Sequence, residues 1–267
     1  MPQAMPEVQN NNKDEYEQWN KDMMDREQER TENFTFEQKV RYVLTQPNYL
    51  LYNASITCLF ITVTAIQFWM TDYMVQVLGL SQGKAFKTFA SVSLIGPLGG
   101  IVTGGALFSR LGGYNSYKAL HVVQIVGINA MVWGWFCAVS KSYPAFVVFI
   151  FFQLFCGGMT MPVANGLMLN QVPQNMRTVC NSIANLTFNL FGYIPAPYIY
   201  GMMYQRYGQG KSHAGFYTIE FFGCLSFVFA FIFFLRKKWA FRAYRNAKQT
   251  AEAEAHNGYC ATEAKSP

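Results

Sequence analysis

The chain changes character twice along its length. From Met1 to about Glu32 polar and charged positions dominate, with few residues available for a core, which predicts a flexible polar tail over residues 1–34. Thr35 and Gln38 then have the spacing of a capping box, and Phe36, Val40, Val43 and Leu44 share one helical face. That pattern predicts a short amphipathic helix over 35–46 lying along a bilayer surface and ended by Pro47. Six apolar runs follow, at about Tyr49–Leu78, Thr88–Phe108, Ala119–Val139, Tyr143–Leu169, Val179–Tyr204 and Phe216–Leu235. Each has the ~20 residues that a helix needs to cross ~30 Å of hydrocarbon. The runs are apolar on all sides rather than striped, so the predicted fold is all-α and integral to a membrane. A six-helix transmembrane bundle occupies 47–236, followed by a basic and then polar tail over 237–267.

The second run carries the most informative spacing. Gly96, Gly100 and Gly104 recur every four residues and so fall on one helix face, where the backbone of a neighbouring helix can approach closely. The run passes directly into a short turn that supplies Arg110, Gly112, Gly113 and Lys118.

Composition agrees with this picture, since 51% of the residues are hydrophobic, 17% aromatic and only 13% charged. Ten of the fifteen acidic residues precede Pro47, three follow Leu235, and only Asp72 and Glu220 lie between. The net charge of +6 does not indicate a nucleic-acid partner, because the basic residues sit at the ends of apolar runs rather than on one polar face. Lys39, Arg41, Arg110, Lys118, Arg177, Arg236, Lys237, Lys238, Arg242, Arg245 and Lys248 fall at one side of the membrane; Lys84, Lys87, Lys141, Arg206 and Lys211 fall at the other. Excess basic charge marks the cytoplasmic side, so both termini are expected there. The dense run from Leu235 to Lys248 fits either a topology anchor or a surface for anionic lipid headgroups.

Candidate chemistry is sparse. Six scattered cysteines have neither metal-ligand spacing nor a disulfide pattern, and His121, His213 and His256 stand apart, so no metal, cofactor or catalytic constellation is expected and the chain is not expected to be an enzyme. Asp72 and Glu220 lie toward the ends of their runs, where pairing with Lys84, Lys87, Arg206 or Lys211 is expected in preference to carrying a coupling proton. Polar side chains inside the runs must face a partner helix or a water-filled cavity. In the first run Thr57, Thr64 and Thr71 recur every seven residues beside Gln67, a stripe that serves either a cavity or helix–helix hydrogen bonds. Gln153 and Thr160 share a face in the fourth. In the fifth, Asn181, Asn185 and Asn189 stack at four-residue spacing, and Asn185 and Asn189 are expected to face a cavity.

Gly104 to Gly113, GGALFSRLGG, resembles the loop between the eighth and ninth helices of major facilitator superfamily transporters, except that Ser109 stands where that family usually has Asp. FWMTDYMVQVLGLS at the end of the first run, Val172-Pro173 before Arg177, and Gly192, Pro195, Pro197 and Gly201 in the fifth are similar to spinster-like lipid transporters and organic-anion transporters. The likeness covers about Thr35 to Arg245 and is to the C-terminal six-helix half of such a protein. It implies alternating access between two halves, with substrate held near mid-membrane. It also implies a cavity wall made by the first, second, fourth and fifth helices, the third and sixth being outer support. The substrate-cavity candidates are then Thr64, Gln67, Gln153, Asn185 and Asn189; the gating-loop candidates are Gly105, Ser109, Arg110, Gly112 and Arg177. The expected partners are the lipid bilayer, a small organic or lipid-like solute, and a complementary six-helix half or a second copy of the chain. A non-transporting structural subunit or a transporter fragment is the alternative.

Overall fold

The computed structural model describes residues 7–113, 116–207 and 213–263, and within them the chain is helical with no strand. Its helices are α1 (Glu7–Thr31), α2 (Phe36–Thr45), α3 (Pro47–Gln76), α4 (Gln82–Arg110), α5 (Tyr117–Val139), α6 (Tyr143–Leu169), α7 (Arg177–Thr187), α8 (Pro195–Tyr207) and α9 (Ala214–Glu263). Among the described residues, five are long and apolar enough to cross a membrane: α3, α4, α5, α6 and the part of α9 within Ala214–Ala251.

Helix ends follow local chemistry. Thr35 caps α2 through a reciprocal capping box with Gln38, and Pro47 opens α3 at its first position, where no backbone donor is required. At the end of α4 the Gly113 N–H returns to the Phe108 carbonyl and the Gly112 N–H to that of Ser109. Gly112 there has φ +95°, the left-handed conformation that a glycine accepts without strain. This residue therefore closes α4 and turns the chain toward α5.

The fifth apolar run is not the single regular helix that its composition predicts. Between α7 and α8 the six residues Phe188–Tyr193 form a widened π turn, in which the Ile194 N–H reaches the Asn189 carbonyl five residues back. Pro195 and Pro197 lack backbone donors, so the carbonyls four residues before them lose their usual partners, and the helix absorbs the defect by widening. Trp69 Nε1 from α3 donates to the Pro197 carbonyl at 3.0 Å and holds the interrupted segment against the bundle.

The transmembrane helices close a ring. Helix α4 packs along α6 and α3, α6 along α5, α5 along α9, and α9 along α3. The α7–α8 segment lies against α3, with α8 also touching α9. Tight contact between α4 and α6 depends on the glycine face. A Cβ at Gly96 would lie 3.3 Å from Leu154 Cβ, one at Gly104 2.8 Å from Met159 Cα, and one at Gly100 would overlap the Phe155 carbonyl oxygen. From the opposite helix, a Cβ at Gly158 would lie 2.5 Å from the Pro97 carbonyl.

Both polar ends differ from their sequence expectation. Residues 7–31 are helical rather than a flexible tail, and α9 continues as one 50-residue helix well past Leu235. At about 1.5 Å per residue α9 reaches ~75 Å, more than twice the hydrocarbon thickness. Its extension docks on α1, where Tyr16 and Trp19 are buried against Phe241 and Tyr117, with Tyr244 beside them. Lys237 is buried in the same contact; its Nζ donates to Asn20 Oδ1 at 3.0 Å and lies 5.4 Å from the Trp19 ring centre. Asn175 Nδ2 donates to the Thr31 carbonyl and fixes the other end of α1.

Trp19→Ala removes the centre of this small cluster and is expected to cost roughly 3 kcal/mol of local docking, as for other large-to-small changes at buried aromatics. Hydrogen exchange should then accelerate at least tenfold in residues 16–30 and stay unchanged in α3 to α6. Equal protection of α1 in both proteins would show that the cluster does not hold it.

Candidate functional site

Inside the ring lies a cavity of about 340 Å³. Its lining comes from α3, α4, α5, α6 and α9, with Tyr193 as the contribution of the π turn. The walls are mostly apolar, including Ile56, Phe60, Phe89, Met131 and Phe227. The lining residues Gln67, Ile101 and Tyr193 are exposed, and they mark the mouth on the side formed by α3, α4 and the π turn.

The lining also includes a buried carboxyl group. Glu220 is 1% exposed, and its Oε1 accepts a 2.6 Å hydrogen bond from Gln153 Nε2. Gly134 makes room for the pair, since a Cβ there would overlap Glu220 Oε2 and lie 2.6 Å from Gln153 Nε2. Gln124 Nε2 donates to the Ala230 carbonyl at 3.3 Å. The amide oxygens of Gln124 and Gln153 are buried and, among the described residues, accept from no donor. Nearby, Ser55 Oγ donates to the Ser226 carbonyl and Thr62 Oγ1 to that of Ile219, which ties α3 to α9 beside the cavity.

This arrangement adds one feature and corrects one expectation. Inside the bundle, Gln124 of α5 and Glu220 of α9 line a cavity that the sequence did not announce. Glu220 pairs with the amide of Gln153 rather than with Lys84, Lys87 or Arg206, and Lys211 lies outside the described residues. Asp72 is half-buried and, among the described residues, forms no ion pair with those bases either.

The remaining candidates separate into groups. Gln67 and Gln153 line the same cavity. Thr64 is buried, its hydroxyl has no hydrogen-bond partner among the described residues, and it is not part of the lining. Asn185 and Asn189 are exposed on α7 and the π turn, outside the cavity; each donates its amide to the carbonyl four residues earlier. In the last turns of α4, Gly105 has open space around it, and Ser109 and Arg110 are exposed with no side-chain hydrogen bond or ion pair among the described residues. Arg177 donates to Asn170 Oδ1 at 2.9 Å, in a shallow depression that it shares with Asn20, Asp25 and Gln28 of α1. Among the described residues no group of His, Cys, Asp and Glu is arranged to hold a metal.

Sequence reasoning did not single out Gln124 or Gly134, and it placed Glu220 in the wrong company. Glu220 is the one charged residue between Phe216 and Leu235, and an intramembrane carboxylate by itself signals a buried polar partner. The partner was hidden because Gln153 lies 67 positions away.

The model of the Organic Anion Transporter Polypeptide (OATP) family matches residues 1–140. Of the two subfamily likenesses in the sequence, this match is to the organic-anion one rather than the spinster-like one. Among solved structures, the in meso crystal structure of the POT family transporter PepTSo superposes with a TM-score of 0.61 at 17% sequence identity. The superposition covers 70% of this chain and 37% of that one, so the likeness establishes a shared fold over little more than a third of the larger protein. No curated protein matches the chain.

Proposed function

The chain belongs to the Organic Anion Transporter Polypeptide family, and on that footing we propose that its bundle is one half of an alternating-access transporter for an amphipathic organic anion or lipid-like solute. The observation that carries this reading is a polar strip on one outer face. Asn181, Asn185 and Asn189 lie exposed along the α7–π segment. Gln67 and Tyr193, also exposed, mark the mouth of the cavity next to α3. Exposed amides at membrane depth cost several kcal/mol each against hydrocarbon and are tolerated against a second bundle or a water-filled space. Leu94, Leu98 and Val102 of α4 are exposed as well and offer an apolar margin for contact with another bundle.

The complementary surface is a second six-helix half or a second copy of this chain, the solute binds between the two, and both termini face the cytosol. The end of α4 with Gly105, Ser109 and Arg110, the following Gly112, and Arg177 at the start of α7 form the cytosolic edge that changes contacts as the halves rock. Ser109 supplies no charge where the superfamily loop it resembles usually has Asp, so this edge holds the inward-closed state less firmly.

A cysteine placed at Asn189, in a chain whose native cysteines are replaced, tests the reading. The new thiol should react with a membrane-impermeant methanethiosulfonate in intact vesicles, and added substrate should slow the reaction. Labelling by a lipid-soluble maleimide alone would place the strip against lipid and remove the support for a cavity there.

A further inference from the structure

We propose that the cavity inside the helix ring is a binding site for the ammonium group of an amphipathic amine, with Glu220, Gln153 and Gln124 as its acceptors. Both amide nitrogens are already committed, Gln124 Nε2 to the Ala230 carbonyl and Gln153 Nε2 to Glu220 Oε1. The Ala230 carbonyl fixes the Gln124 amide, because a carbonyl oxygen accepts only from the nitrogen, and Glu220 in its carboxylate form fixes the Gln153 amide in the same way. The oxygens that remain are buried without a donor, on side chains that are each 7% exposed. A buried acceptor without a donor costs about 1 to 3 kcal/mol, so two beside a carboxyl group constitute a strong local demand for N–H donors.

Charge narrows the ligand further. Among the described residues no Lys, Arg or His lines the cavity, and Glu220 is its one carboxyl group. An anion placed there would meet a carboxylate and two amide oxygens, whereas an ammonium has up to three donors for those three acceptors. The apolar remainder of the ligand would lie along Ile56, Phe60, Phe89 and Phe227 toward the mouth at Gln67 and Tyr193. The volume of about 340 Å³ falls in the range of small-molecule sites, about 300–1,000 Å³. For a solute entering from the side of the proposed translocation path, the site selects molecules that carry an amine. This step rests on the transporter reading only for the route of entry, and binding itself needs no second half.

Phenethylamine and 3-phenylpropionate, a cation and an anion of similar shape at neutral pH, are the probes. Titrated by calorimetry into the full chain in nanodiscs, phenethylamine should bind saturably at one site per chain, and saturating 3-phenylpropionate should not displace it from that site. Glu220→Gln should weaken phenethylamine at least tenfold, and Gln124→Leu, which keeps the carboxyl group, severalfold; helix content and monodispersity of each variant are checked in parallel. Phenethyltrimethylammonium, a cation without N–H donors, should bind at least tenfold more weakly than phenethylamine. Displacement of phenethylamine by 3-phenylpropionate at comparable concentration, unchanged affinity in well-folded Glu220→Gln and Gln124→Leu, or equal binding of the trimethyl compound would each overturn the proposal. A failure here leaves the thiol-accessibility result at Asn189 untouched, so the two readings fall separately.

Discussion

Gly100→Leu is expected to cost at least ~3 kcal/mol and to leave little monodisperse protein after extraction, at the upper end of what overpacking a close interface produces. The first side-chain carbon would already overlap the Phe155 carbonyl and lie 3.0 Å from the Met159 nitrogen, and both are backbone atoms with no rotamer to yield. Relief would require α4 and α6 to separate. That movement would also open the contacts of Gly96 with Leu154, Gly104 with Met159 and Gly158 with Pro97. Helix propensity acts in the opposite direction by about 1 kcal/mol in favour of Leu, too little to compensate. Gly105→Leu is the control, because nothing lies within 4 Å of the Cβ it would add. Thermal unfolding in detergent should show a large loss for Gly100→Leu and a change within about 1 kcal/mol for Gly105→Leu. Equal melting of Gly100→Leu and the parent would mean that the α4–α6 contact does not depend on the glycine face.

What could be read before the structure was the part of the fold governed by long apolar runs and by punctuation. The spans at Tyr143–Leu169 and Ala119–Val139 lie within a few residues of α6 and α5, because proline or a polar cap marks their starts and the apolar pattern fills the rest. The glycine spacing gave the face of α4 that meets α6, though not the identity of its partner. Pairings between distant segments were not legible. Tyr16, Trp19 and Met23 form a stripe of only three residues in a polar stretch, and it acquires meaning only beside Phe241 and Tyr244, more than two hundred positions later. The π turn was equally hidden: Pro195 and Pro197 announce a defect in the helix, but whether it kinks, breaks or widens depends on how Trp69 and Phe60 hold the segment. The cavity followed the same rule, since Glu220, Gln153 and Gln124 come from three helices whose register no single run reveals.

The second large effect concerns the bundle alone. A rocking cycle needs two bundles around a central site, and a single ring of helices supplies one wall of it. A lone bundle would leave Asn185, Asn189 and Gln67 against lipid at a cost of several kcal/mol each, so association is favoured over monomer. Uptake is therefore expected to depend steeply on pairing. The direct measurement is uptake of a labelled organic anion into liposomes, with the oligomeric state in the same liposomes fixed by cross-linking. Saturable, substrate-selective uptake should appear only where the chain is paired, with a second copy or with a complementary half, and vanish at the lipid-to-protein ratio that isolates single chains. Saturable uptake by proven monomers would contradict the half-transporter account.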